Sequence, residues 1–225
     1  FRDALRALPG LDRLDALLLA NDSVYGPFHD LGELVGRMSM AEADVWGVTD
    51  SWQRRFHLQS YFLLFGRRAL ANDRFHRFWA GLRYVQAKTW IIDRYEVGLT
   101  RALMEGGLRC QAAFPYREVA TSLLGSLRKE EGSVSAAQNP RIRRRFRDNL
   151  VEGIERGLPL NSLHFFWEHL IVQMRCPFLK RELLRKNPVR VPGLIHWKQV
   201  VESVSGYDTE LISRHLERTM RNRAI

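Results

Sequence analysis

At 225 residues, with 45% hydrophobic and 27% charged side chains, the chain has the make-up of a globular protein large enough for one sizeable core with an appended subdomain. No stretch reaches about 18 uninterrupted apolar residues, which argues against a hydrophobic spanning helix. The charged start, FRDALRALPG, argues against a signal peptide. A net charge of +10 leaves three partner classes open, namely nucleic acid, an anionic membrane surface and phosphorylated substrates.

The first residue is Phe rather than Met, so a processed chain or a piece of a longer one is expected. Residues 2–9 read as the end of a helix broken by Pro9-Gly10. The run Leu17-Leu18-Leu19-Ala20 has no polar alternation and reads as a strand buried on both faces, in the middle of a mostly parallel sheet. It ends at Asn21-Asp22-Ser23, with Gly26-Pro27 behind. A short helix is expected over 31–38, a strand over 45–49 ending at Asp50, and a polar connection over 51–56. His57 to Phe65 reads as a third strand, with His57, Gln59 and Tyr61 on one face and Leu58, Ser60 and Phe62 on the other. Phe75, Phe78, Trp79 and Leu82 recur at helical spacing and mark core.

A further helix is expected over 92–104, stopped by Gly106-Gly107, and then a short strand over 108–114. Residues 118–128 read as helical, and 129–140 as a loop rich in small residues that marks a boundary. From 141 onward the pattern predicts helices alone, over 141–156, 161–174, 178–186, 196–204 and 208–223. The expected architecture is an α/β core over 1–117 and a helical region over 118–225. Cys110 and Cys176 have neither disulfide-framework nor zinc spacing and fit a reducing cytoplasm as buried small hydrophobes.

Three polar clusters follow the strands or open the next helix: Asn21-Asp22-Ser23, Asp50-Ser51 and Tyr95-Glu96. Loops at the C-terminal ends of neighbouring strands converge in space, so groups distant in sequence can share one site. Asp22 is a candidate ligand for Mg2+ or Mn2+, hard ions that prefer oxygen; its other reading is a helix cap or an Asx turn. Glu96 is placed near a helix start, where the dipole favours a carboxylate, and could take a proton from a sugar hydroxyl; its other reading is a surface charge. His57, Gln59 and Tyr61 give one polar strand face suited to hydrogen-bonding a hydroxylated substrate; its other reading is a solvent-facing strand. His164 and Glu168 stand four apart on one helix with Trp167, a weak metal pattern better matched by buried side chains. Lys180 could meet phosphate, and the basic run Arg141–Arg147 (RIRRRFR) is either a solvated helix face or a contact for anionic lipid. No GxSxG, P-loop, GxGxxG or HExxH motif occurs, which disfavours serine hydrolases, ordinary NTPases, dinucleotide enzymes and zincins.

The segments NDSVYGP at 21–27, WGVTD at 46–50, HLQSYF at 57–62, YEVGLT at 95–100 and CPFLKRELLRKNP at 176–188 together resemble the rhamnan synthesis protein F family, from about residue 11 to about 218. YEVGLTRALMEGGLR at 95–109 also looks like the acidic-motif helix of inverting GT-A glycosyltransferases, with Glu96 at the base position and Tyr95 where a first acidic residue often lies. Asn21-Asp22-Ser23 matches the place of that fold's Asp-any-Asp metal motif, with one carboxylate rather than two. The resemblance implies a GT-A-like mixed sheet, with the nucleotide-binding half lying outside the chain. It implies transfer of L-rhamnose from dTDP-rhamnose to a lipid-linked glycan of the bacterial cell surface, with Glu96 as base and Asp22 on a metal. Asn21, Ser23, Asp50, His57, Gln59, Ser60, Tyr61, His164, Trp167 and Lys180 form the expected substrate-contact set. The expected place is the cytoplasm, peripheral at the inner membrane face, without nucleic acid. The alternative is a non-catalytic module that binds glycan or a partner.

Overall fold

The computed structural model describes residues 1–83, 87–129 and 140–221. The chain divides into two compact units, one of residues 1–22 and 32–116, the other of residues 23–31 and 117–225. The loop expected over 129–140 lies outside the described residues, apart from its two ends.

The first unit is a mixed α/β sheet. Its strands are β1 (Ala16–Ala20), β3 (Val45–Ser51), β4 (His57–Leu58), β5 (Phe62–Gly66) and β6 (Cys110–Phe114); β2 (Val24–Tyr25) belongs to the second unit. The order is β1-β5-β3, with β4 and β6 both on β3. Every pairing is antiparallel except β3 with β6. β3 and β5 are central: each residue of both is buried, and their β-branched and aromatic side chains suit a sheet covered on both faces.

β1 departs from the sequence expectation. It is an edge strand, hydrogen-bonded only to β5 and antiparallel to it. Leu19 faces the core and Leu18 is 44% exposed. A short apolar run says that a strand is plausible but carries no information on how many neighbours it has.

The strand expected over 57–65 is broken. Asp50 pairs with Leu58 and Gly47 with Leu63, so the partner strand carries extra residues around Ser60 and Tyr61. Such a bulge bends the strand and re-aims its side chains. Gln59 and Tyr61 nonetheless both reach the Thr49 hydroxyl. Gly47 permits the bulge, because a Cβ there would stand 3.0 Å from the Leu58 Cβ.

Helices α1 (Arg2–Ala7), α3 (Arg67–Leu70) and α4 (Asp73–Ala80) surround the sheet, and α2 (Leu31–Gly36) begins at the junction with the other unit. The Asn72 side chain caps α4 by accepting from the Arg74 N–H. Phe75 and Trp79 are buried on its inner face, as their spacing predicts. The next helix runs from Lys88 to Glu105 as α5 (Lys88–Ile91), a π-helical segment (Ile92–Val97) and α6 (Gly98–Glu105). It starts four residues earlier than the sequence suggests. One cluster of core side chains, Val45, Leu63, Phe65, Phe75, Leu99 and Leu103 among them, joins sheet and helices.

Asp44 ties the first unit together at the start of β3. Its Oδ2 accepts from the Arg109 N–H at 2.8 Å and from Arg68 at 3.3 Å, and its Oδ1 accepts from the Arg109 guanidinium at 3.2 Å. Burial alone would raise this carboxyl, but the Arg109 and Arg68 bonds outweigh it and hold it below the ordinary value. A carboxyl lowered in the folded state adds stability above its unfolded pKa and loses it as pH falls through the folded one. Asp44→Asn is therefore expected to cost about 2 kcal/mol at neutral pH, from lost charge-assisted bonds. The gap to the wild type should close in urea titrations repeated below about pH 4.

The second unit is helical, with α7 (Tyr116–Lys129), α8 (Pro140–Glu155), α9 (Ser162–Phe165), α10 (Trp167–Val172), α11 (Arg181–Lys186), α12 (Trp197–Val204) and α13 (Thr209–Arg221). Two corrections apply. The helix expected over 161–174 is broken at Phe166, whose ψ of 15° leaves the helical region. The region is not helices alone, since β7 (Leu179–Lys180) pairs antiparallel with Val24–Tyr25. A two-residue strand has no periodicity of its own and exists only through its distant partner. Tyr25, Phe28, Trp167, Ile171, Leu179 and Val201 share the core of this unit.

Candidate functional site

In the first unit the bulge brings three of the expected site residues together. The Ser60 N–H donates to Glu96 Oε1 at 2.8 Å, and its hydroxyl donates to the same oxygen at 3.0 Å. The Asn21 side chain donates to the Ser60 carbonyl at 3.3 Å, and the Asn21 N–H donates to the Tyr61 carbonyl at 3.0 Å. The backbone groups that the bulge takes out of the sheet ladder are thus satisfied by Asn21 and Glu96. Glu96 Oε2 accepts no hydrogen bond among the described residues.

Glu96 is not at a helix start. It lies in the π-helical segment, inside the long helix, so the dipole argument made from sequence does not apply. A π-turn widens the backbone locally and offsets the side chains that follow; such turns recur at functional sites. Thr100, one turn on, is buried, and its hydroxyl accepts the Leu58 N–H at 3.0 Å, which fixes the helix against β4.

Glu96 and Ser60 open onto a cavity of about 310 Å³. Its walls are mostly apolar, with Leu63, Phe78, Trp79 and Leu99 among them, and the side chains Arg2 and Arg83 supply positive charge. The Tyr95 hydroxyl accepts the Arg83 N–H at 2.7 Å and donates to the Arg83 carbonyl at 2.8 Å, which pins that edge. A carboxylate oriented by two donors, with its second oxygen available in a mostly apolar recess, can accept a proton from a bound hydroxyl.

The remaining candidates in this unit serve the scaffold. Asp50 is buried, with Oδ1 accepting the Tyr116 N–H at 2.6 Å and Oδ2 accepting the Trp52 indole N–H at 3.1 Å, all within the first unit. Burial raises its carboxyl despite those bonds. The Thr49 hydroxyl lies 2.6 Å from Gln59 Oε1 and 3.0 Å from the Tyr61 hydroxyl, a polar network enclosed by the sheet. His57 is buried and donates from Nδ1 to the Arg55 carbonyl at 2.8 Å.

Asp22 is exposed in the turn after β1. Among the described residues, no group of three or more His, Cys, Asp and Glu side chains comes together. One exposed carboxylate is a poor donor set for Mg2+ or Mn2+, which take several oxygens at once. The described residues around Asp22 do not by themselves make up a metal centre.

Ser23, His164, Trp167 and Lys180 belong to the second unit. Lys180 Nζ donates to the Ser23 hydroxyl at 3.2 Å, and the Arg181 N–H donates to the Ser23 carbonyl at 3.0 Å. Trp167 is 3% exposed and contributes to the core, and His164 is buried on α9. The basic run Arg141–Arg147 lies on α8, with Ile142 exposed beside it. Neither cysteine forms a disulfide. Burial pushes the Cys110 thiol up to about 12, which leaves it an inert residue at the start of β6. Among the described residues no helix is long and apolar enough to cross a membrane.

Comparison with known proteins bears on the family. The profile described as rhamnan synthesis protein F matches residues 1–128, more than half of the chain. The chain belongs to the rhamnan synthesis protein F family. The description of that family names rhamnan synthesis. The matched region holds Asn21, Ser60 and Glu96. Among curated proteins, the chain is 29% identical over 205 residues to virulence protein VirA of Vibrio anguillarum, which covers 89% of this chain and 61% of that relative. It is 31% identical over 90 residues to the uncharacterized protein y4gN of Sinorhizobium fredii, 38% of this chain and 24% of that one. The chain thus spans about three fifths of the length of that Vibrio anguillarum relative. No solved structure matches.

Sequence reading missed one feature of this family member. Arg74 with Arg77, and Arg94 with Arg101, stand at helical spacing and line one cleft together with Arg54 and Arg55. The three- and seven-residue intervals were a usable signal.

Proposed function

We propose that the chain carries the acceptor-side machinery of an inverting, GT-A-like rhamnosyltransferase that acts on a bacterial cell-surface polysaccharide. The observation that supports it is Glu96, held by both donors of Ser60 at the mouth of an apolar cavity. The acceptor hydroxyl gives its proton to Glu96 Oε2. Its oxygen attacks the anomeric carbon of L-rhamnose in dTDP-rhamnose. The bond from that carbon to the diphosphate oxygen breaks, dTDP leaves with the electron pair, and the anomeric configuration inverts. Ser60 and Asn21 are positioning residues: they aim the carboxylate and hold the bulge. Arg2 and Arg83 line the same cavity and offset charge growing on the departing diphosphate. No step runs through a metal. The acceptor is a lipid-linked glycan, and the basic face of α8 lies against the anionic inner face of the membrane.

The test is a panel of sugar nucleotides offered to the entire gene product with lipid-linked acceptor. Consumption of dTDP-rhamnose with inverted product is expected. Absence of turnover with every donor, in a folded protein, overturns the reading in favour of a binding module.

Ser60→Ala removes one of the two donors and keeps the backbone one. It is expected to lower kcat about tenfold, the size of a single lost bond to a charged group, with KM for the donor unchanged. A variant at wild-type kcat removes Ser60 from the positioning role.

A further inference from the structure

The long helix has a second cleft on another of its sides. Ser60 and Glu96 line the first cavity, whereas Asp93, Arg94, Val97 and Arg101 line an open cleft of about 600 Å³. Six arginines converge there: Arg54, Arg55, Arg74, Arg77, Arg94 and Arg101. Among the described residues the lining holds two carboxylates, Asp93 and Glu105. Arg54 pairs with Asp93, Arg101 with Glu105 at 3.5 Å, and Arg77 with Asp73 at 3.5 Å. Arg55, Arg74 and Arg94 have no carboxylate partner among the described residues. Trp90 is also part of the lining, 42% exposed, with its ring edge-on to Tyr95 at 5.1 Å.

Like charges crowded into one concavity repel, and the cost falls only when an anion sits among them. Guanidinium is a planar fork matched to phosphate oxygens, which it grips in pairs. Three unpaired forks, fed from the 54–55 loop, α4 and the long helix, suit a group with several negative oxygens on adjacent atoms. The exposed indole adds apolar surface for whatever that group carries.

We infer that this arginine cleft, beside the Glu96 cavity, binds the diphosphate of a phosphorylated ligand. Phe78 and Tyr95 line both openings, so the cleft adjoins the Glu96 cavity. The inference does not depend on Glu96 being a base.

The experiment titrates the full chain with inorganic pyrophosphate, dTDP and farnesyl diphosphate at constant ionic strength, followed by calorimetry and by tryptophan emission. Binding of pyrophosphate is expected, with a Trp90 signal that Trp90→Phe removes. Arg74→Ala/Arg94→Ala should weaken it at least about tenfold, and Arg74→Lys/Arg94→Lys should fall between, since charge is kept and the fork is lost. Tighter binding of farnesyl diphosphate than of dTDP assigns the group to a lipid carrier, and the reverse order assigns it to a nucleotide. Both alanine substitutions are at exposed side chains, so thermal melts matching the wild type are expected to accompany the loss. Glu96→Gln should retain pyrophosphate binding, which separates this site from the transfer reaction. No binding, binding that the double variant leaves intact, or equal displacement by chloride overturns the inference.

Discussion

Glu96→Gln is expected to reduce rhamnosyl transfer by about a hundred- to ten-thousandfold while leaving the melting profile unchanged. Glutamine has the same shape, and its side-chain oxygen can still accept from Ser60, so the bulge has no reason to collapse. What is lost is the ability of the second oxygen to take a proton. Donor KM should hold, because the lost interaction belongs to the transition state. Glu96→Asp supplies a second reading: its shorter reach pulls the carboxylate back from Ser60, and activity should drop although the charge remains. Full turnover in the glutamine variant, measured as product formed from dTDP-rhamnose, would sink the assignment of the base.

Sequence carried some parts of this picture and could not carry others. β3 was legible because Val45, Trp46 and Val48 are β-favouring and lie next to a polar stop. The helix of Phe75 and Trp79 was legible because its aromatics repeat at helical spacing. Glu96 was correctly placed on a helix, but its position within it was not: nothing in Lys88 to Ile91 marks a start, and a π-turn has no residue pattern of its own. The bulge was hidden because His57 to Phe65 holds no Gly or Pro to mark a break, and the extra residues appear only in the register against β3. Asp50 looked like a free carboxylate beside a site because its partner, the Tyr116 N–H, is 66 residues away. The arginine cleft escaped for the same reason: helical spacing predicts that Arg74 and Arg77 share a face, but not that Arg54, Arg55 and Arg94 meet them there. Local propensity was readable in all these places, and what escaped was set by pairing between distant segments.

Gly26→Ala is expected to be the most damaging single substitution in the second unit, at about 3 kcal/mol or more. Gly26 has φ of 131°, a region that side chains strongly disfavour. A Cβ placed there would stand 2.2 Å from the Pro177 carbonyl oxygen and 3.2 Å from Phe178 Cδ1. That carbonyl is also the acceptor for the Phe28 N–H at 3.0 Å. The methyl group cannot be housed by turning a flexible side chain, since the obstacle is backbone. Moving Pro177 away breaks the Phe28 bond and pulls on Leu179–Lys180, the strand that pairs with Val24–Tyr25. Urea unfolding followed by circular dichroism should show a lower midpoint. Amide exchange should accelerate at Phe28 and Leu179 first, ahead of the α12 and α13 amides. Wild-type protection at those two amides would mean that the 23–31 segment can be relaid without Gly26, and that the short β2–β7 ladder is not what holds it.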